Sequence, residues 1–146
     1  MKKVQIYTDG ACSGNPGNGG YCAILIYNGV EKVVSGSQTD TTNNRMELLA
    51  VIKGLQTLKE VCEVDLYSDS QYVVDAFNKG WITSWQEKGW KTANKSPVKN
   101  VDLWESLLAL VNKHKVNFIK VKGHSDNEYN NRCDKIAVEE YKKLQV

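Results

Sequence analysis

Paired cysteines, long apolar runs and low-complexity tracts are all missing from this 146-residue chain. Its four cysteines, Cys12, Cys22, Cys62 and Cys133, stand at wide intervals with no C-x-x-C pair, which argues against both a disulfide framework and a zinc cage. Buried free thiols are expected instead. No stretch approaches the roughly 18 consecutive apolar residues of a membrane span, and Met1 to Lys3 lead straight into a strand pattern rather than a signal-peptide core. A cytoplasmic protein with no membrane association is expected. With no linker or repeat array, and with 41% hydrophobic residues, residues 1–146 read as one domain around one apolar core.

What is present is unevenly charged. The net charge of +2 divides into +6 over residues 79–122, with nine Lys against Glu87, Asp102 and Glu105, and −4 over the remainder. A polyanion lying across the first region and a cation held in the second would suit this asymmetry; a solvated basic surface would also produce it.

Val4 to Cys12 reads as a strand, Ser13 to Gly20 as a turn cluster, Tyr21 to Tyr27 as a second strand, Asn28-Gly29 as a hairpin turn and Glu31 to Gln38 as a third strand. Leu48, Ile52, Leu55 and Leu58 recur at helical spacing between about Asn44 and Glu60. Val64 to Ser68 is a fourth strand, Tyr72 to Phe77 a short helix, and Gly80 to Asn100 an irregular stretch rich in Trp and Lys. Asp102 to Lys113 is a helix, Asn117 to Val121 a fifth strand and Asn130 to Leu144 a last helix. The pattern is α/β: a mixed five-stranded sheet, with strands 1 to 3 an antiparallel meander and strands 4 and 5 parallel, flanked by helices.

Two strands end alike, in Tyr7-Thr8-Asp9 and Tyr67-Ser68-Asp69. If they are parallel neighbours, both carboxylates emerge at the sheet end where open α/β sheets hold their ligands. Taken singly, Asp9-Gly10 could be a turn and Asp69 a helix N-cap. Glu47 begins a helix on a small, apolar face, although Asn44-x-x-Glu47 also fits a capping box. Asp134 shares a helix face with Ala137, Tyr141 and Leu144, too deep for capping, and needs either a cation such as Arg45 or Arg132 or a divalent metal. Oxygen-only ligands favour Mg²⁺ or Mn²⁺, and two such ions about 4 Å apart suit in-line displacement at phosphorus. Phosphodiester hydrolysis is the reaction this chemistry implies.

The chain resembles bacterial ribonuclease HI through Tyr7-Thr8-Asp9-Gly10, Gly14-Asn15-Pro16-Gly17, the run from Thr41 to Glu47, and Ser68-Asp69-Ser70-Gln71-Tyr72. Further on, the resemblance continues in Gly89-Trp90-Lys91-Thr92, Pro97 to Trp104, Val121-Lys122-Gly123-His124 and Asn131-Arg132-Cys133-Asp134. These segments are in order and span nearly the whole chain. The resemblance implies a ribonuclease H-like fold and an endonuclease that cuts the RNA strand of RNA/DNA hybrids, leaving 3′-hydroxyl and 5′-phosphate ends.

It further implies four metal-binding catalytic carboxylates at Asp9, Glu47, Asp69 and Asp134, two Mg²⁺ ions per site with substrate (Mn²⁺ a possible substitute), and an assisting histidine, His124, beside a Gly123 hinge. Contacts that sense the RNA 2′-hydroxyl fall on Cys12 (backbone), Asn15, Asn43, Asn44 and Gln71, and a DNA-phosphate pocket on Thr42 and Asn100. Turn, cap and exposed-helix roles serve equally well for Asn15, Asn43 and Gln71. Trp81 is expected to face the DNA strand, while Trp85, Trp90 and Trp104 are expected to be structural. Gln86-Glu87-Lys88-Gly89 is less basic than the family's usual run there, which implies weaker hybrid affinity. The expected partner is the hybrid duplex, with the protein a monomer and no obligate protein partner.

Two other readings compete: a broader nuclease or strand-transfer enzyme with the same carboxylates, and a silent hybrid-binding module. The module would be expected to lack a carboxylate; none is missing.

Overall fold

Alternation along the first strand sends Ile6 to one face and Tyr7 and Asp9 to the other, and this strand, β1 (Lys2–Cys12), lies at the centre of the sheet. The computed structural model describes residues 1–122 and 127–145. β2 (Gly17–Tyr27) pairs antiparallel with β1 and with β3 (Val30–Thr41), and the Asn28-Gly29 turn between them has φ 50° and 76°. Two central residues at positive φ match the right-handed strand twist, which is why Asn-Gly occurs there. On its other side β1 pairs parallel with β4 (Cys62–Ser68), which pairs parallel with β5 (Lys115–Lys120), giving the order β3-β2-β1-β4-β5. This is the mixed sheet expected from the sequence.

Helices cover both faces. α1 (Asn43–Gln56) packs against β1 and β2 and against α4 (Val101–Lys113), enclosing the larger core of Ile6, Leu48, Leu55, Leu66, Trp104 and Leu107. α2 (Gln71–Asn78) and α3 (Trp81–Glu87) complete that side. The opposite face carries α5 (Glu128–Lys142), which continues into a 3-10 turn over Lys143–Gln145. A smaller core of Tyr7, Cys22, Ile24, Cys133 and Ala137 lies beneath it. No described helix is long and apolar enough to cross a membrane.

Several boundaries differ from the sequence expectation. β2 begins at Gly17, inside the expected turn cluster. The glycines there serve close packing: a Cβ on Gly20 would collide with the carbonyl of Ala137, and one on Gly19 would press on Thr41 and Met46. α1 stops at Gln56, four residues short of Glu60, where the Thr57 N–H closes the helix onto Gly54 and Leu55. Within the irregular stretch, α3 is a helix and Lys91 bridges Pro97. Cys22, Cys62 and Cys133 are buried thiols as expected, whereas Cys12 is only half-buried and donates to the carbonyls of Gly14 and Thr41.

Candidate carboxylate centre and polar cavity

Thr8 is abreast of Ser68 in the parallel ladder, so Asp9 and Asp69 leave neighbouring strands one residue further on, at the same sheet end. Asp9 still belongs to β1, paired with Cys22, and is therefore not part of a turn. The residue capping α2 is Ser70, whose Oγ accepts from the Val73 N–H at 3.3 Å, so Asp69 is free of that duty. Glu47 reaches the pair from the first turns of α1. Gly10 makes this possible, because a Cβ there would collide with the Met46–Glu47 backbone. In the space so gained, the Gly10 N–H donates to Glu47 Oε1 at 3.2 Å. The capping box at Asn44 does not form: Thr42 caps α1, its Oγ1 accepting from Arg45 N at 3.2 Å.

Oxygens of Asp9, Glu47 and Asp69 all lie within 4.8 Å of one another, with Asp9 and Glu47 buried. Asp134, seven residues into α5 and half-buried, adds its charge: it raises the pKa of both Asp9 and Glu47. Neither arginine proposed for it is available, since Arg45 pairs with Asp102 and Arg132 with Glu31, each at 2.9 Å. Among the described residues no ion pair reaches any of the four acids.

The electrostatic consequence is direct. Burial, then repulsion from Glu47 and Asp69, pushes the Asp9 carboxyl far above the ordinary carboxylate range; burial first, then Asp69, pushes Glu47 upward as well, against the lowering effects of a hydrogen bond with Asp9 and of the Gly10 N–H. Glu47 Oε2 is buried and has no hydrogen-bond partner. The Asp9 and Glu47 carboxyls stand close together, and they can hydrogen-bond only if one holds a proton. An oxygen-only, orphaned, mutually repelling set of this kind fits a hard divalent cation, whose charge would replace that proton.

Where α1 and α4 begin, a cavity of about 450 Å³ is lined by Asn15, Thr42, Asn43, Asn44, Lys99 and Asn100. The structure thus brings five of the expected substrate contacts together and adds Lys99, legible in the sequence only as one lysine of a basic run. Asn15 Oδ1 accepts from Asn43 N at 2.9 Å, so that atom is engaged within the protein and the amide NH₂ remains. Gln71, exposed at the start of α2, does not line this cavity. Trp81 is 37% exposed and Trp104 fully buried; Trp81 also packs on Trp85 with ring centroids 6.4 Å apart. His124 lies outside the described residues. A cavity of about 520 Å³ at the other end of the sheet, between Val4, Leu25, Val30 and Leu58, has one carboxylate, Glu60, already paired with Lys2. It is apolar where the chemistry above needs ligands.

Tyr7 also went unassigned in the sequence. Its ring stacks on Tyr67 at 4.5 Å and on Tyr129 at 4.9 Å, tying β1, β4 and the start of α5 together beneath the acids. The matched Tyr-x-Asp strand ends were the signal for it.

Comparison with known proteins agrees with this geometry. The family model for RNase H matches residues 1–142. The chain is similar to the ribonuclease H of Acetivibrio thermocellus, at 66% identity over 143 residues, 98% of this chain and 97% of that one. It is similar to the ribonuclease H of Caldanaerobacter subterraneus subsp. tengcongensis at 60% over 140 residues, 96% and 92% of the two. Among solved structures, LC9-RNase H1, described as a type 1 RNase H with the type 2 active-site motif, matches with a TM-score of 0.88 at 29% identity, covering 98% of this chain and 74% of that one.

Proposed function

The chain belongs to the ribonuclease H family, and on that premise we propose that it is an endonuclease that hydrolyses the RNA strand of RNA/DNA hybrids at the Asp9, Glu47, Asp69 and Asp134 cluster, leaving 3′-hydroxyl and 5′-phosphate ends. The observation that carries the reading is the set of buried acids without counter-charge at the carboxyl ends of β1 and β4. Two Mg²⁺ ions, or Mn²⁺ in their place, would supply the charge that lets all four acids ionise, activate a water and stabilise the leaving oxygen.

The chain's own residues do the rest. Asp9, buried at the end of the central strand with Glu47 and Asp69 within 4.8 Å, would be one of the ligands holding the cations. Glu47 is held in place by the Gly10 N–H and would serve as a second ligand. Thr42, Asn100 and Lys99 line a cavity suited to a DNA-strand phosphate. Asn15, Asn43, Asn44, Gln71 and the Cys12 backbone are assigned to the RNA side, where the 2′-hydroxyl distinguishes the strands. Trp81 offers an exposed ring to the DNA strand. His124 is assigned to proton transfer or product departure. The same reading has residues 1–146 acting as one domain, as a cytoplasmic monomer that needs no membrane or protein partner.

Cleavage of labelled RNA/DNA hybrid with Mg²⁺, set against duplex DNA and single-stranded RNA, tests this. The expected result is cutting of the hybrid alone, stopped by chelator. Comparable cutting of all three substrates would place the protein in the broader nuclease class.

A further inference from the structure

We propose that Arg45 is a positioning residue, bracing Asn100 so that its amide offers NH₂, and not its carbonyl oxygen, to a phosphate in the polar cavity. The inference rests on the proposed reading of that cavity as a DNA-phosphate site. Arg45 makes a two-pronged pair with Asp102, Nη1 to Oδ1 at 3.1 Å and Nη2 to Oδ2 at 2.9 Å. Asp102 is largely exposed, and a surface pair of this kind contributes little to stability. What singles it out is a third bond: Arg45 Nη1 also donates to Asn100 Oδ1 at 3.2 Å.

A guanidinium can only donate, so the oxygen end of the Asn100 amide must face Arg45 and the nitrogen end must face away. That nitrogen donates to the Tyr72 hydroxyl at 3.3 Å, which also accepts from Nε1 of the fully buried Trp104 at 3.0 Å. The amide is therefore held at both ends, with one N–H left over. Asn100 stands at the N-cap of α4 with φ 63° and makes no side-chain cap bond, so its side chain is diverted from the task usual at that position. The Arg45 main chain meanwhile holds Thr42 Oγ1, so one residue touches two of the three polar side chains assigned to the phosphate. Without the brace the amide can rotate and present an acceptor to an anion, which repels it.

Removing Arg45 alone also uncovers the Asp102 charge, so the decisive variant is Arg45→Met with Asp102→Asn, which loses the brace and keeps the net charge. KM and kcat would be measured on hybrids in which one DNA-strand phosphate at a time is replaced by neutral methylphosphonate. For the wild type, one position should raise KM about tenfold. The double variant should show KM about tenfold higher on unmodified hybrid, kcat within about twofold, and no further rise from that methylphosphonate. Asn100→Ala should show the same insensitivity, and Arg45→Lys, which keeps the charge and loses the fork, should fall between. A double variant with wild-type KM and an undiminished methylphosphonate effect overturns the brace, as does a wild type with no sensitive phosphate. A wild type that cuts no hybrid at all would overturn the functional reading itself and, with it, this inference.

Discussion

Opposite ends of the sheet each bury a titratable side chain that has one satisfied atom and one orphan. At the carboxyl end Glu47 Oε1 accepts from Gly10 N, and Oε2 has no partner. At the other end His114 Nδ1 accepts from Cys62 N at 3.1 Å, and Nε2 has none. Their surroundings separate them. Glu47 stands with Asp9 and Asp69, and with the charge of Asp134 acting on it, so its orphan atom is one of several carboxyl oxygens crowded together without a counter-charge. Burial first, then Lys113, lowers the His114 pKa, and the ring stays neutral, an acceptor for one backbone N–H. An orphan polar atom is thus no sign of a site until its neighbours share its charge.

Asp9→Asn breaks the comparison most severely. It should lower Mg²⁺-dependent hybrid cleavage on the order of a thousandfold or more, while raising the stability of the cation-free protein by about 1 kcal/mol as repulsion is relieved. Steady-state rates and urea melts check the two halves; a rate within tenfold of wild type would sink the assignment. Gly10→Ala should cost about 2 kcal/mol, because the added methyl collides with backbone at Met46–Glu47. Circular dichroism melts should show that loss with or without Mg²⁺.

Cation and pH sharpen the contrast further. Millimolar Mg²⁺ should raise the melting temperature of the wild type by a few degrees and that of Asp9→Asn by less. Since Asp9 and Glu47 have raised folded pKa values, the cation-free folded state holds more protons than the unfolded chain. That stability is present on the acid side and is lost as pH rises through the folded values, a slope that Mg²⁺ should flatten. The smallest effect has the opposite sign. His114 has a folded pKa below its ordinary 6.5, so its stabilisation is complete above that value and is lost as pH falls through it toward the folded value. With Mg²⁺ at saturation to flatten the carboxylate contribution, the wild type should lose melting temperature relative to His114→Gln as pH falls from about 7 to about 5.

Part of the site could be read in the chain because its chemistry is repeated: two strands end in Tyr-x-Asp, which puts two acids at one sheet end provided the strands are parallel neighbours, as they are. Asp134 was legible as a charge on an apolar face. That neither arginine serves it was not, since Arg45 finds Asp102 and Arg132 finds Glu31 across long sequence separations. Local composition misled where packing overrides it. Gly17 to Gly20 read as a turn, yet they form strand, with Gly19 and Gly20 lying where Met46 of α1 and Ala137 of α5 come too close for a Cβ. The helical spacing through Leu58 continued past the helix end because Leu58 still packs on the core after α1 has closed at Gln56. His114 carried no pattern at all; its role depends on a backbone N–H 52 residues away in sequence.

The contact between Gly20 and the Ala137 carbonyl sets a depth gauge for α5. Three of the four acids come from the sheet and from α1, and only Asp134 rides on a separate helix over the opposite face. How far that helix sits from β2 therefore decides whether the fourth carboxylate reaches the other three. A glycine without chemistry of its own, buried about as far from notice as any residue in the chain, works as the spacer that brings the charge of the last helix into range of the first strand.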